Sequence, residues 1–196
     1  MSLFEAIVEA SQERPREMLE TPLQRSIGLS DLLGCEVLLK CEHLQTTGSF
    51  KYRGGANAIR MLHGDARRRG VVTASSGNHG QAVALAGRNA DVAVTVYASA
   101  GASPTKLAAI RAYGAELCLL DGPGLDVELI ARWEAEESGR AFLYPYNDLF
   151  VIAGQGTIGL ELPDWEVVLA DLFAGVGGGG QAGGGVGGGR RIGGEG

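Results

Sequence analysis

Three segments carry residue types whose spacing could do chemistry. The first is Thr46-Thr47-Gly48-Ser49-Phe50-Lys51-Tyr52-Arg53-Gly54. It follows an apolar run and opens a helix-like pattern. Ser49 is placed as an N-cap, which sets Lys51 in the first turn. The positive end of the helix dipole disfavours an ammonium there, and partial burial would lower its pKa further. Both effects favour the neutral amine, the form that condenses with a carbonyl group. The plain alternative is a surface lysine at a helix start. The second segment is Ser75-Ser76-Gly77-Asn78-His79-Gly80-Gln81, whose amides and hydroxyls could cradle a carboxylate or phosphate. Its plain alternative is a generic turn rich in small polar residues. The third is Gly175-Val176-Gly177-Gly178-Gly179-Gly180, where successive glycines let backbone amides approach a phosphate. A dinucleotide fingerprint fits these glycines by letter only, since no helix-forming sequence follows. A P-loop needs Lys and Ser/Thr where Gln181 and Ala182 stand.

The elements that must position these segments alternate in type. A helix opens at Phe4, Ile7 and Val8 and ends before Thr21-Pro22. Glu36 to Cys41 reads as a short buried strand. Helices are expected over 51–62, 79–89, 104–113, 125–138 and 150–162. Strands are expected over 71–74, 92–98 and 116–120, near Phe142, and at 167–169. Strands alternating with helices imply βαβ units and a parallel sheet covered on both faces. Such sheets bind ligands at the carboxyl ends of their strands, where all three segments fall.

Composition narrows the classes. The chain has 196 residues, 45% hydrophobic and 20% charged, which suits one globular domain or two small ones. Its net charge of -6 argues against nucleic acid as a partner, because phosphate binding needs a basic face. Arg67-Arg68-Arg69 reads as a solvated helix end rather than a nucleic-acid patch. Cys35, Cys41 and Cys118 form no C-x-x-C pair and are odd in number, which favours a reduced compartment over a disulfide framework and offers no zinc site. The first residues lack a basic region followed by a continuous apolar stretch, and no run approaches the length of a membrane span. A cytoplasmic protein without membrane contact is the expectation. From Gly175 onward 14 of 22 residues are glycine, which reads as a loop followed by a flexible tail.

The ordered motifs resemble a known family. The stretch from Lys40 to Gly55, centred on Gly48-Ser49-Phe50-Lys51, resembles the cofactor-lysine motif of fold-type II pyridoxal-phosphate enzymes. Ser75 to Ala82 looks like their asparagine loop. Ser103-Pro104-Thr105-Lys106 with Ile110 to Glu116, and Tyr144 to Asp148 with Ile152 to Thr157, resemble further segments. Gly177, Gly178, Gly179 and Gly180 are similar to the phosphate-binding tetraglycine loop. The resemblance covers about Thr21 to Gly180, and the histidine after Asn78 is similar to the threonine dehydratase and serine racemase branch. Tyr146 stands where threonine dehydratases carry an aromatic residue.

This resemblance implies a tryptophan-synthase-β-like α/β fold of two open parallel-sheet domains. The small domain is expected over 52–145. The large one takes 1–51 and 146–196 and is expected to be incomplete, its C-terminal part missing, because nothing here matches the residue that pairs with the pyridine nitrogen. The implied cofactor is pyridoxal 5'-phosphate, held by Lys51 with Phe50 packed near its ring, Asn78 on its ring oxygen, and Gly177 to Gly180 on its phosphate. Ser75, Ser76, Asn78 and His79 would contact the amino-acid substrate. Lys51 would be the general base, and Ser76 would lie on the opposite face, as the second base of racemases does. No metal site is assigned. The implied activity converts L-threonine or L-serine to a 2-oxo acid and ammonia. The alternatives are serine racemase, threo-3-hydroxyaspartate dehydratase, or an inactive cofactor-binding remnant. A homo-oligomer stays open.

Overall fold

The computed structural model describes residues 1–162 and 171–175. The expected strand at 167–169 and the tetraglycine loop lie outside those residues. The element that organises the rest is a four-stranded parallel sheet, formed by β3 (Val71–Ala74), β4 (Val94–Ser99), β5 (Glu116–Leu120) and β6 (Ala141–Phe142) in the order β5-β4-β3-β6. Val71 pairs with Val94 and Thr73 with Val96, while Val71 and Val72 face Ala141 and Phe142 on the other side. β3 reads VVTA, a continuous β-branched run, as a strand buried on both faces requires.

Successive strand residues point to opposite faces, so each face has its own core. Val71, Val94 and Val96 pack with Val83 and Leu85 of helix α5 (Asn78–Asn89) and with Tyr52 and Ile59 of α3 (Lys51–Arg60). Val72 packs instead with Ala131 and Ala135 of α7 (Gly124–Ser138). The helix α6 (Pro104–Ala112) adds Ile110 to the first core.

Helix α1 (Leu3–Gln12) begins at a capping box: the Ser2 hydroxyl accepts from the Glu5 amide, and the Glu5 carboxylate accepts from the Ser2 amide. It buries Ala6, Ile7 and Ala10, and Ala6 and Ile7 cluster with Ala153 of α8 (Leu149–Leu160). α8 crosses α3 closely because the crossing point is glycine on both helices. A Cβ on Gly154 would lie 2.3 Å from the Arg53 carbonyl oxygen, and one on Gly54 would lie 2.7 Å from that of Val151.

Several expectations are corrected. α1 ends at Gln12 rather than before Thr21, since Pro15 follows and cannot continue a helix. The expected buried strand at 36–41 is a shorter β2 (Leu38–Lys40), paired antiparallel with β1 (Leu23–Arg25) in a separate two-stranded ribbon. With one partner strand it is only partly covered, and Leu39 is 43% exposed. Two short helices stand where no element was expected, α2 (Ile27–Leu33) and α4 (Gly64–Arg69). Arg67, Arg68 and Arg69 form the exposed last turn of α4, in keeping with a solvated helix end. Among the described residues no helix is long and apolar enough to cross a membrane.

Candidate active site

Lys51 is the first residue of α3. Ser49 is not the formal cap, which is Phe50, but its hydroxyl accepts a 3.4 Å hydrogen bond from the Lys51 amide. The Lys51 ammonium donates to the Pro145 carbonyl at 2.7 Å and lies 5.2 Å from the centroid of the Phe50 ring. Burial lowers its pKa from the ordinary lysine value. The expected weakening of the ammonium therefore has a physical cause in the fold, and among the described residues the charge has one carbonyl rather than a carboxylate to hold it.

The Ser75–Gln81 segment leaves the carboxyl end of β3 and runs into α5, whose cap is Gly77. The turn is tight: a Cβ on Gly80 would lie 2.6 Å from the Ser75 carbonyl oxygen. The Ser75 hydroxyl accepts from the Gly77 amide at 3.2 Å, and that of Ser76 accepts from the Ser99 amide at 3.0 Å. Asn78 is exposed at the first position of α5. His79 is buried, with Nε2 3.4 Å from the Leu143 carbonyl, which assigns the proton to that nitrogen. Its Nδ1 has no hydrogen-bond partner among the described residues. Burial first, and the nearby Lys51 charge second, push the His79 pKa down to about 4, so the ring is neutral at neutral pH.

The residues after β6 join the two segments. Leu143 offers its carbonyl to both His79 and the Thr73 hydroxyl, and Pro145 offers its own to Lys51. A cavity of about 140 Å³ opens between the Ser75-Ser76 turn and α7. Thus Lys51, Phe50, Ser75, Ser76 and His79 gather at the carboxyl end of the parallel sheet, with Asn78 at its rim. Gly177, Gly178, Gly179 and Gly180 lie outside the described residues.

Reading the sequence residue by residue missed two features. One is the use of backbone carbonyls at Leu143 and Pro145, which no side-chain pattern can announce. The other is Arg53, fully buried two residues beyond Lys51. Its guanidinium donates to Glu42 at 2.9 and 2.8 Å and to Glu161 at 2.5 and 2.8 Å, and it also reaches the Thr157 hydroxyl. Lys40 adds a 2.6 Å ion pair to Glu161. Burial alone would raise the Glu161 pKa, but the hydrogen bonds from Arg53 and Lys40 hold it below its ordinary value. The signal available was a basic residue inside the lysine motif, with no way to tell that its partners lie far along the chain.

A lysine of weakened charge at a helix start, near a turn of small polar residues at the end of a parallel strand, is an arrangement that could take a carbonyl cofactor. The chain belongs to the pyridoxal-phosphate dependent enzyme family, whose model matches residues 16–194. It is 39% identical over 192 residues to an L-threo-3-hydroxyaspartate ammonia-lyase from Pseudomonas sp, covering 98% of this chain and 60% of the relative. It is 43% identical over 185 residues to an L-threonine ammonia-lyase from Thermotoga maritima, covering 92% of this chain and 45% of that relative. The structure of maize serine racemase superposes with a TM-score of 0.91 at 30% identity, covering 97% of this chain and 58% of that one. The chain thus spans about half the length of the relatives it matches. The α/β fold is that of the fold-type II enzymes, and the family cofactor is pyridoxal phosphate. The residues present fit it, since an amine of lowered pKa lies beside an aromatic ring and a buried imidazole nitrogen free to accept.

Proposed function

We propose that this protein is a pyridoxal-phosphate-dependent ammonia-lyase acting on L-threonine and L-serine. The observation that carries the reading is the Lys51 amine, partly buried and held by one backbone carbonyl beside neutral His79. In this reading Lys51 and Phe50 hold the cofactor, with Asn78 on its ring oxygen and Gly177 to Gly180 on its phosphate. When bound, the cofactor supplies an electron sink that acidifies the substrate α-carbon. Once the substrate amino group has replaced it, the freed amine of Lys51 would take the α-proton at Nζ, for which a lowered pKa is an advantage near neutral pH. The substrate carboxylate lies against Ser75, Asn78 and His79, where the backbone amides of the turn donate to it without a fixed cation. The β-hydroxyl would leave as water, and hydrolysis of the resulting enamine by water gives the 2-oxo acid and ammonia. Ser76, opposite Lys51 in this reading, is the residue that would return a proton to the other face. The division into 52–145 and the flanking segments goes with it, and the whole four-stranded sheet falls within 71–142. A cytoplasmic setting, with an amino acid as the small-molecule partner, fits the same assignment.

The test is to load the protein with pyridoxal phosphate and supply L-threonine or L-serine. Formation of the 2-oxo acid and ammonia is expected, exceeding any formation of the D-enantiomer from L-serine. More D-serine than pyruvate would favour racemase instead.

A further inference from the structure

The cavity beside the Ser75-Ser76 turn is lined by Ser75, Ser76, Tyr97, Ser99, Val127 and Glu128, among others. Glu128 is its one charged lining residue among the described residues. It is half-buried on the inner side of α7, and its carboxylate accepts from the Tyr146 hydroxyl at 3.4 Å. That carboxylate raises the Tyr146 pKa, chiefly through its charge, so its field is felt across the gap between α7 and the segment after β6. The nearest arginine along the helix is Arg132, whose guanidinium lies 5.5 Å from the Tyr144 ring centroid. The opposite side of the turn carries the opposite sign. Lys106 Nζ stands 4.0 Å from the point a Cβ on Gly77 would occupy. The turn is therefore polarised, with a cation near Gly77 and an anion across the cavity from Ser76.

We propose that Glu128 is a specificity-determining residue, which makes this cavity accept uncharged β-hydroxy side chains and reject a side-chain carboxylate. The inference rests on the amino-acid reading given above. With the α-carboxylate on the Gly77 side of the turn, a side chain entering the cavity that Ser75 and Ser76 border would meet Ser99 and Glu128. The threonine methyl then meets Val127 and Tyr97. The second carboxylate of L-threo-3-hydroxyaspartate meets Glu128 instead, and like charges brought together in a partly desolvated site oppose binding. The relatives above divide between these two substrates by name, and a carboxylate at this place in the cavity favours the neutral one.

The test is direct binding, measured by calorimetry on the cofactor-loaded chain, with turnover recorded in parallel. The unaltered protein should bind L-threonine at least about tenfold more tightly than L-threo-3-hydroxyaspartate. Glu128→Gln should shrink that ratio about tenfold, and Glu128→Asp, which keeps the charge, should preserve it. Equal affinity of the unaltered protein for the two amino acids overturns the inference, whatever the variants do. So does a ratio that Glu128→Gln leaves unchanged. Binding preference without any oxo-acid formation would sink the proposed activity and leave the role of Glu128 standing. Threonine turnover with a ratio indifferent to Glu128 would do the reverse.

Discussion

Lys51 and Arg53 are two cations in the first turn of one helix, and they are treated in opposite ways. Arg53 is fully buried and saturated: two carboxylates, two threonine hydroxyls and a backbone carbonyl surround it. Lys51, two residues earlier on the helix, has one carbonyl among the described residues. Burial lowers the Lys51 pKa, whereas the carboxylates around Arg53 more than offset burial and raise its own. A charge that must stay fixed is given every partner it can use. The charge proposed to be lost and regained is left with fewer partners. The Arg53 cluster also ties the start of α3 to Glu42 and to the end of α8, and so fixes the backbone from which Lys51 projects.

Breaking the saturated side should give the largest effect. Arg53→Met leaves Glu161 with Lys40 and Glu42 with the Thr21 hydroxyl in place of a shared guanidinium, and removing one partner of a buried pair costs about 3–5 kcal/mol. Denaturant unfolding of the variant checks this. A loss under about 1 kcal/mol would mean the cluster is solvated in solution and the contrast with Lys51 is false.

His79 belongs to the under-paired side, and its signature is a pH dependence. Its folded pKa of about 4 lies below the ordinary histidine value. Between those values the unfolded chain binds the extra proton, so stability rises with pH there. The stability is present in full above the ordinary value. It is lost as pH falls toward 4, by about 3 kcal/mol in all. His79→Asn should flatten this part of the curve, read from unfolding free energies at several pH values. An unchanged slope would show that the ring is already charged or exposed.

The smallest effect on stability is expected at Lys51 itself. Lys51→Met keeps the apolar stem and removes a poorly held charge. Its unfolding free energy should stay the same or rise by up to about 1 kcal/mol, the outcome expected if this position trades stability for its proposed function. A loss comparable to that at Arg53 would erase the distinction between the two cations.

The contrast also marks what the sequence could reveal. β3, β4 and α5 were legible because continuous β-branched runs and Gly/Ser turns are local signals. The position of Lys51 in a first turn was legible for the same reason. β1 and α2 were not: Leu23-Gln24-Arg25 has no strand alternation, and α2 leaves Ile27, Leu32 and Leu33 more than 60% exposed, so no core stripe points to a helix. The run Glu36 to Cys41 looked like a buried strand because apolar content alone cannot tell a sheet centre from a ribbon edge. The Arg53 cluster was out of reach because Glu161 lies 108 residues away. The same holds for Glu128, whose partner Tyr146 is 18 residues on, across β6.

The account stands most directly on the identity of the cofactor-bearing amine, and the chain has only three lysines to choose from. Loading the protein with pyridoxal phosphate, reducing with borohydride and mapping the peptides reads that identity. The pyridoxyl label is expected on Lys51 alone, and Lys51→Met should abolish it. Lys40 should remain unlabelled because Glu161 and the Thr21 carbonyl hold its ammonium. Label on Lys40 or Lys106 in place of Lys51 would contradict the assignment.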